Sequence, residues 1–406
     1  MKASRASLRL LRRSPCLIPS ASRACLPIWR RSYSSDGLSQ DRFEAIKTEM
    51  LARHTPRSRD FMSPTNSALL GIALDDFIPN ECRTGGMSIK EIQSDKRLPE
   101  GHHLVYFPLQ KPISRLCPDG TDPFHSPGEP FVRRMWAGGS IKFNKPLRFN
   151  NIPVDCEERI EDVTVKGPEG EEKIFVTVLR EYLTAGDRQP PRGAPRIKER
   201  RTLVFMRGLS KEQARENLAK AEAGRERIVK APIEPDYSFT LTPTPQLLFY
   251  YSALSFNSHS IHLDPAYCRE VEGQPNLLVH GPLTLTLMLT ALKSQFNNSL
   301  HEIRKIDYRN LAPLYANEPL RVCVRRVEQA ELLPKGGKVW EVWVEDKDGG
   351  LAVRGTVTTQ DRYDPRVRRF KEKPKNQDDA TQEASTQEDM TKEEDPTQKQ
   401  NADQPL

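Results

Sequence analysis

The first 35 of the 406 residues contain no acid. They carry Lys2, Arg5, Arg9, Arg12, Arg13, Arg23, Arg30 and Arg31, and the first carboxylate is Asp36. An Arg- and Ser-rich, acid-free N-terminus with apolar residues between the arginines reads as an organelle transit peptide, residues 1–35, and mitochondrial import is expected. No long apolar core follows the charges, which argues against a secretory signal. The segment also accounts for the net charge of +7: without it the 62 basic residues become 54 against 55 acidic, and the case for nucleic-acid binding from charge goes with it. No run reaches the 18 or more apolar residues of a membrane helix. Seven cysteines are present, two of them (Cys16, Cys25) in the leader, and the other five show no CxxC spacing. That argues for reduced thiols and against a zinc ribbon or disulfide frame. The last 36 residues, 371–406, have almost no apolar side chain and no periodicity, so they are expected to be a disordered polar tail.

Between these tails the pattern is α+β. Residues 39–53 read as a capped amphipathic helix with Ser39 at the cap and Phe43, Ile46 and Met50 on one stripe. Residues 95–130, rich in Pro, Gly, His and Asp, read as a long loop. A Ser210/Gln213 capping box opens a solvated connecting helix, read from Ser210 to Val229, in the linker 210–231. A repeat divides the rest. "IKFNKPLRFNNIPVDCEERIE" (141–161) lies over "YRNLAPLYANEPLRVCVRRVE" (308–328) at one offset, matching Pro146 to Pro313, Asn150 to Asn317 and Cys156 to Cys323. Each copy continues through a Gly-containing turn into alternating segments, "KIFVTVLREYL" then "RTLVFMR", and "KVWEVWVED" then "LAVRGTVTTQ", as antiparallel strands do. Two α+β units are expected, 39–209 and 232–365. Only the second has "GPLTLTLMLTALKSQF" (281–296), apolar nearly all round and therefore a buried helix. Gly281 is read as its N-cap, with Pro282 in the first turn, where a missing N–H costs nothing.

The chemistry-bearing stretch is "SALSFNSHSIHLDP" (252–265), with Asn257, His259, His262 and Asp264 within eight residues. Three readings compete. His259 and His262 have chelating spacing with Asp264 as a third ligand, yet no second cluster supplies more ligands and no zincin Glu is present. Histidines beside an apolar run are also commonly satisfied loop residues. The third reading is acid–base catalysis: an imidazole in an apolar mouth beside a helix N-terminus whose glycine N–H can be approached closely is the equipment for removing a proton next to a carbonyl.

Taken together, "ALSFNSHSIHLDPAYCREVEGQPNLLVHGPLT" resembles the motif of the hydratase-2 (MaoC-like) family of hotdog-fold enoyl-thioester hydratases. Ser255, His262, Asp264 and His280-Gly281 match the motif positions. With "RRMWAGG" (133–139) and "GHHLVYF" (101–107), residues 40–365 resemble its double-hotdog branch, the 3-hydroxyacyl-thioester dehydratases of fungal mitochondria. The resemblance implies a double hotdog: two antiparallel sheets side by side, with one long central helix mainly in the C-terminal half. It also implies dehydration of (3R)-3-hydroxyacyl thioesters in the mitochondrial matrix during fatty acid synthesis. His262 is then the base, Gly281 the carbonyl-binding N–H, and Asn257 the group orienting the 3-hydroxyl, with Asp264, His259 and His280 in support. The acyl group would ride on acyl carrier protein or CoA, and no metal or organic cofactor is required. Arg269, Arg304, Lys305 and Arg309 are candidates for a basic rim facing an acidic carrier. Two units in one chain replace the usual homodimer, so a monomer is expected. The sequence departs from the motif where it has Asn257 for an Asp and His259 for an Asn, so an Asp/His pair does not carry over. The rivals are a mesaconyl-type or other enoyl-CoA hydratase, a hotdog thioesterase, and a non-catalytic acyl-binding scaffold.

Overall fold

Two stretches of chain with the same strand plan build the protein. The computed structural model describes residues 37–83, 96–189, 193–224, 228–231, 233–296, 301–328 and 337–361. The leader and tail assignments, 1–35 and 371–406, lie outside them. The first stretch holds α1 (Gln40–Leu51), β1 (Arg57–Phe61), α2 (Pro64–Leu74), β2 (Arg133–Phe143), β3 (Pro153–Lys166), β4 (Lys173–Thr184) and β5 (Ile197–Met206). After α3 (Lys211–Glu222) the second holds β6 (Tyr237–Leu241), α4 (Pro245–Ser255), α5 (Pro265–Glu270), α6 (Gly281–Ser294), β7 (His301–Asn310), β8 (Leu320–Val327), β9 (Lys338–Glu345) and β10 (Leu351–Asp361).

The strands run β1-β3-β4-β5-β2-β7-β10-β9-β8-β6, with antiparallel neighbours throughout. Each half therefore repeats one order, and the halves meet where β2 pairs with β7, Ile141 opposite Ile306. This corrects the expectation of two sheets side by side: the hydrogen-bonding edges of β2 and β7 satisfy each other, and one ten-stranded sheet results. Gly139 lies in this seam, and a Cβ there would fall 2.1 Å from the Arg200 carbonyl oxygen. The repeat seen in the sequence is the end of β2 or β7, a turn, and the start of β3 or β8. The left-handed residues of the two turns are Asn151 and Asn317, one step out of the offset that pairs Asn150 with Asn317.

Local signals behave as their chemistry dictates. The Ser39 hydroxyl accepts from the Arg42 N–H, and Phe43 and Met50 are buried. Ser210 and Gln213 form a reciprocal capping box, and α3 ends at Glu222, short of Val229. Residues 96–132 carry only short 3₁₀ turns (102–105, 113–115, 123–125) before β2. In α6 every residue from Leu283 to Leu292 is buried, and the helix packs against β8 and β9. Its threonines are tolerated there because two return their hydroxyls to the helix, Thr284 to the His280 carbonyl and Thr286 to the Pro282 carbonyl. The N-cap is His280, not Gly281: His280 is extended and its carbonyl accepts from Thr284 N–H, so Gly281 is the first helical residue. The larger apolar cluster spans both halves. A smaller one, around Phe131, Ile174, Val176 and Phe205, lies under α1 in the first half.

Candidate active site

The site begins at the N-terminus of α6. The first N–H groups of a helix have no intrahelical acceptor, and the Gly281 N–H finds none elsewhere among the described residues. The next residue, Pro282, has no N–H, so the positive end of this buried helix is presented chiefly through Gly281. A Cβ at Gly281 would lie 3.3 Å from Asn310 Nδ2 and 3.5 Å from Trp136 Cβ, which keeps the approach to that N–H narrow.

His262 ends a 3₁₀ turn, Ser260–His262, directly beside this helix start. Its Nδ1 lies 2.7 Å from the Leu278 carbonyl oxygen, so Nδ1 carries the hydrogen and Nε2 keeps its lone pair. Nε2 has no partner among the described residues. The ring stacks on His280, centroids 3.6 Å apart at 20°, and meets His259 edge to face at 5.6 Å. His280 is held by Ser252 Oγ at 2.9 Å. Burial, opposed by the Leu278 carbonyl and reinforced by Arg134, lowers the His262 pKa to about 4. Burial also lowers His259 and His280 well below the ordinary imidazole value. All three rings are therefore neutral at pH 7, and an unprotonated base is available.

Asn257 follows α4, whose last turn is closed by Phe256 in a left-handed conformation (φ 52°). The Asn257 Oδ1 accepts from the His259 N–H at 3.1 Å, which aims the Nδ2 group away from the loop with no partner among the described residues. His262, His259, Asn257 and Gly281 all line one cavity of about 580 Å³. From there the cavity runs into the first half, past Leu104, Phe107, Val178 and Leu203.

A protein-family model described as hydroxyacyl-thioester dehydratase type 2 matches residues 101–316. The chain is 30% identical over 321 residues to the mitochondrial hydroxyacyl-thioester dehydratase type 2 of Schizosaccharomyces pombe, covering 74% of this chain and 98% of that one. The chain belongs to the hydroxyacyl-thioester dehydratase type 2 family. It is also 31% identical to the mesaconyl-C(4)-CoA hydratase of Chloroflexus aurantiacus, over 65% of this chain and 84% of that one. In fold it is similar to the crystal structure of a MaoC-like dehydratase from Phytophthora capsici, with a TM-score of 0.53 and 15% identity over 78% of this chain and 97% of that one. A MaoC-like hotdog architecture with one large antiparallel sheet and few helices follows.

Other residues singled out in the sequence of this family member are placed differently. Asp264 is exposed and caps α5, its Oδ1 accepting from the Ala266 and Tyr267 N–H groups; the His262 tautomer is set by Leu278 instead. The Ser255 hydroxyl returns to the Tyr251 carbonyl at 2.6 Å. None of the four rim candidates lines the cavity. Arg269 is held by Glu222, Arg304 lies 3.6 Å from Glu302, and Lys305 pairs with Asp307; Arg309 is exposed on β7. The cations along the cavity are Arg57, Lys111, Arg134, Arg180 and Arg201.

Asp119 is a residue that sequence reasoning missed. It sits in "PDGTD", which by composition is only a turn, and its Oδ2 lies 3.4 Å from His259 Nε2. Asp122, His125 and Glu158 also converge in the cavity, within 4.8 Å of one another. Lys111 already neutralises Asp122, and Arg180 neutralises Glu158 at 3.0 Å, with His125 Nε2 2.9 Å from the same carboxylate, so the donor set is an ion-pair network and a poor fit to a metal ion.

Proposed function

We propose that the protein dehydrates (3R)-3-hydroxyacyl thioesters to trans-2-enoyl thioesters, and that the cavity at the start of α6 is where it does so. The observation that carries this reading is that an unprotonated imidazole nitrogen and a free helix-terminal N–H belong to residues lining one cavity. The thioester carbonyl accepts from the Gly281 N–H, so the charge that develops on its oxygen meets the positive end of a buried helix. His262 Nε2 removes the C2 proton, which the thioester carbonyl already acidifies. The Asn257 Nδ2 donates to the 3-hydroxyl oxygen and orients it. No metal or organic cofactor is needed. The part of the cavity in the first half, where the described residues between α2 and β2 hold no long helix, receives the acyl chain.

The architecture is read as a double hotdog, 39–209 and 232–365, in which one chain supplies both halves and a monomer suffices. The leader and the curated mitochondrial relative support placement in the mitochondrial matrix, in type II fatty acid synthesis, with the acyl group carried on acyl carrier protein or CoA. His262→Ala tests the reading. Hydration of crotonyl-CoA should fall by about 10³-fold or more while the melting temperature stays near wild type. Residual activity within tenfold of wild type would overturn it, and release of free CoA would point to a thioesterase instead.

A further inference from the structure

Dehydration moves two protons: one leaves C2, and one must reach the departing hydroxyl. His262 presents a single free nitrogen, because Nδ1 is committed to the Leu278 carbonyl. Asn257 donates a hydrogen bond but cannot give up a proton. Of the titratable groups described along the cavity, His259 is the one whose ring meets that of His262, at 5.6 Å. We propose that His259, backed by the Asp119 carboxylate from the first half of the chain, is the second proton carrier of this site. The proposal rests on the reading of the cavity as a hydro-lyase site.

The geometry is that of a buried carboxylate behind a working imidazole. With His259 Nε2 turned to Asp119 Oδ2 at 3.4 Å, Nδ1 is the nitrogen left to exchange a proton, and it has no partner among the described residues. Asp119 is itself fixed: its Oδ1 accepts from the Thr121 N–H at 3.0 Å and the Thr121 hydroxyl at 2.5 Å. The turn that carries it is stitched to the histidine loop. Ser260 N–H donates to the Asp119 carbonyl at 2.9 Å and Ser258 Oγ to the Gly120 carbonyl at 2.8 Å. Gly120 allows the two segments to touch, with φ at +83° and room for no side chain, since a Cβ would fall 2.1 Å from the Ser258 oxygen. The first half of the chain thus contributes a charged group to chemistry centred in the second.

In dehydration the C2–H pair becomes the second C2–C3 bond and the proton goes to His262 Nε2. The step starts from the form in which solvent has protonated His259 to the imidazolium while His262 is neutral. The C3–O bond breaks, the oxygen keeps its electrons, and it takes the Nδ1 proton of that imidazolium to leave as water, after which His262 returns the C2 proton to solvent. Hydration runs the same transfers backwards. The charged and titratable groups facing His259 are Asp119, Arg134 on β2 and His262. Burial, then Arg134 and His262, hold its pKa low, so a proton placed on this ring passes readily to a leaving oxygen.

The test uses the full chain and crotonyl-CoA hydration. His259→Asn should lower kcat by about 10²-fold to 10³-fold with KM within threefold, and should remove one limb of the pH–rate profile. Adding Asn257→Asp to that variant restores at least tenfold, since position 257 faces the same space. Asp119→Asn should lower kcat about tenfold and move the acidic limb, which in hydration reports His259 as the base, to lower pH, because the imidazolium loses its counter-charge. If Asp119→Asn fails to fold, the single and double variants at 259 and 257 decide. A His259→Asn enzyme with kcat within threefold of wild type overturns the proposal, as does a loss with an unchanged pH profile and no recovery from Asn257→Asp. A wild-type protein inactive on crotonyl-CoA would instead sink the hydro-lyase reading itself.

Discussion

Replacing Gly120 by Ala is the sharpest perturbation of the contact between the two halves. The new Cβ would lie 2.1 Å from the Ser258 carbonyl oxygen and 2.8 Å from its carbon, where real Cβ atoms keep at least 3.0 Å. The segments must part by about 1 Å, and both atoms met are backbone, so no side-chain rotation relieves the clash. The left-handed conformation adds roughly 1–2 kcal/mol for any residue with a Cβ. Parting also strains the Ser260 N–H bond to Asp119 and the Ser258 hydroxyl bond to Gly120, each a net contribution of about 1 kcal/mol. The sum is about 3–4 kcal/mol. Gly170 is the matched control: it has the same φ of +83° with nothing within 4 Å of its Cβ, so Gly170→Ala should cost only about 1–2 kcal/mol. Urea denaturation of both variants measures the difference. Crotonyl-CoA hydration by folded Gly120→Ala should drop about 10²-fold, as expected for a shift of about 1 Å at reacting groups. Equal destabilisation of the two variants, or undiminished kcat in Gly120→Ala, would refute the claim that this contact holds the histidine loop in place.

Three further outcomes follow from the same geometry. Gly281→Ala narrows the carbonyl site against Asn310 and Trp136; stability should change by less than about 1.5 kcal/mol while kcat falls about 10-fold to 10²-fold, measured by melting and steady-state kinetics. Burial holds His102, His103 and His262 at about 4 against 6.5 in the unfolded chain, so the unfolded state binds protons first. Their contribution is complete above pH 6.5 and is lost as pH falls toward 4, at about 2 kcal/mol per histidine by pH 5; denaturation at pH 7.5 and pH 5 should show the decline. Chelators should leave activity within twofold, because Lys111 and Arg180 already neutralise Asp122 and Glu158; a loss restored by zinc would contradict that.

Much of the site was legible because its signals are local. The HxxH loop, the first-turn proline and the apolar run of α6 lie within 45 residues, and an apolar run on every side made α6 a buried helix. The one-residue displacement of its cap to His280 shows the limit of such reading, since a cap is set by φ and ψ and not by composition. Asp264 fitted a motif position, yet its carboxylate turned to the nearest free helix N–H groups, the commonest fate of an Asp before a proline-led helix. The surface arginines and Lys305 looked like a rim only because charge in a sequence carries no direction.

By itself the sequence determined the strand periods and the buried helix, because each depends on neighbours a few residues apart, and it showed the internal repeat, because two like units carry like residues in the same order. Tertiary structure alone decided that β2 and β7 would fuse the halves into one sheet, and that Asp119 would stand behind His259, 140 residues away in the chain. Backbone edges and buried charges take whatever partner folding brings within reach. No local pattern records which partner that will be.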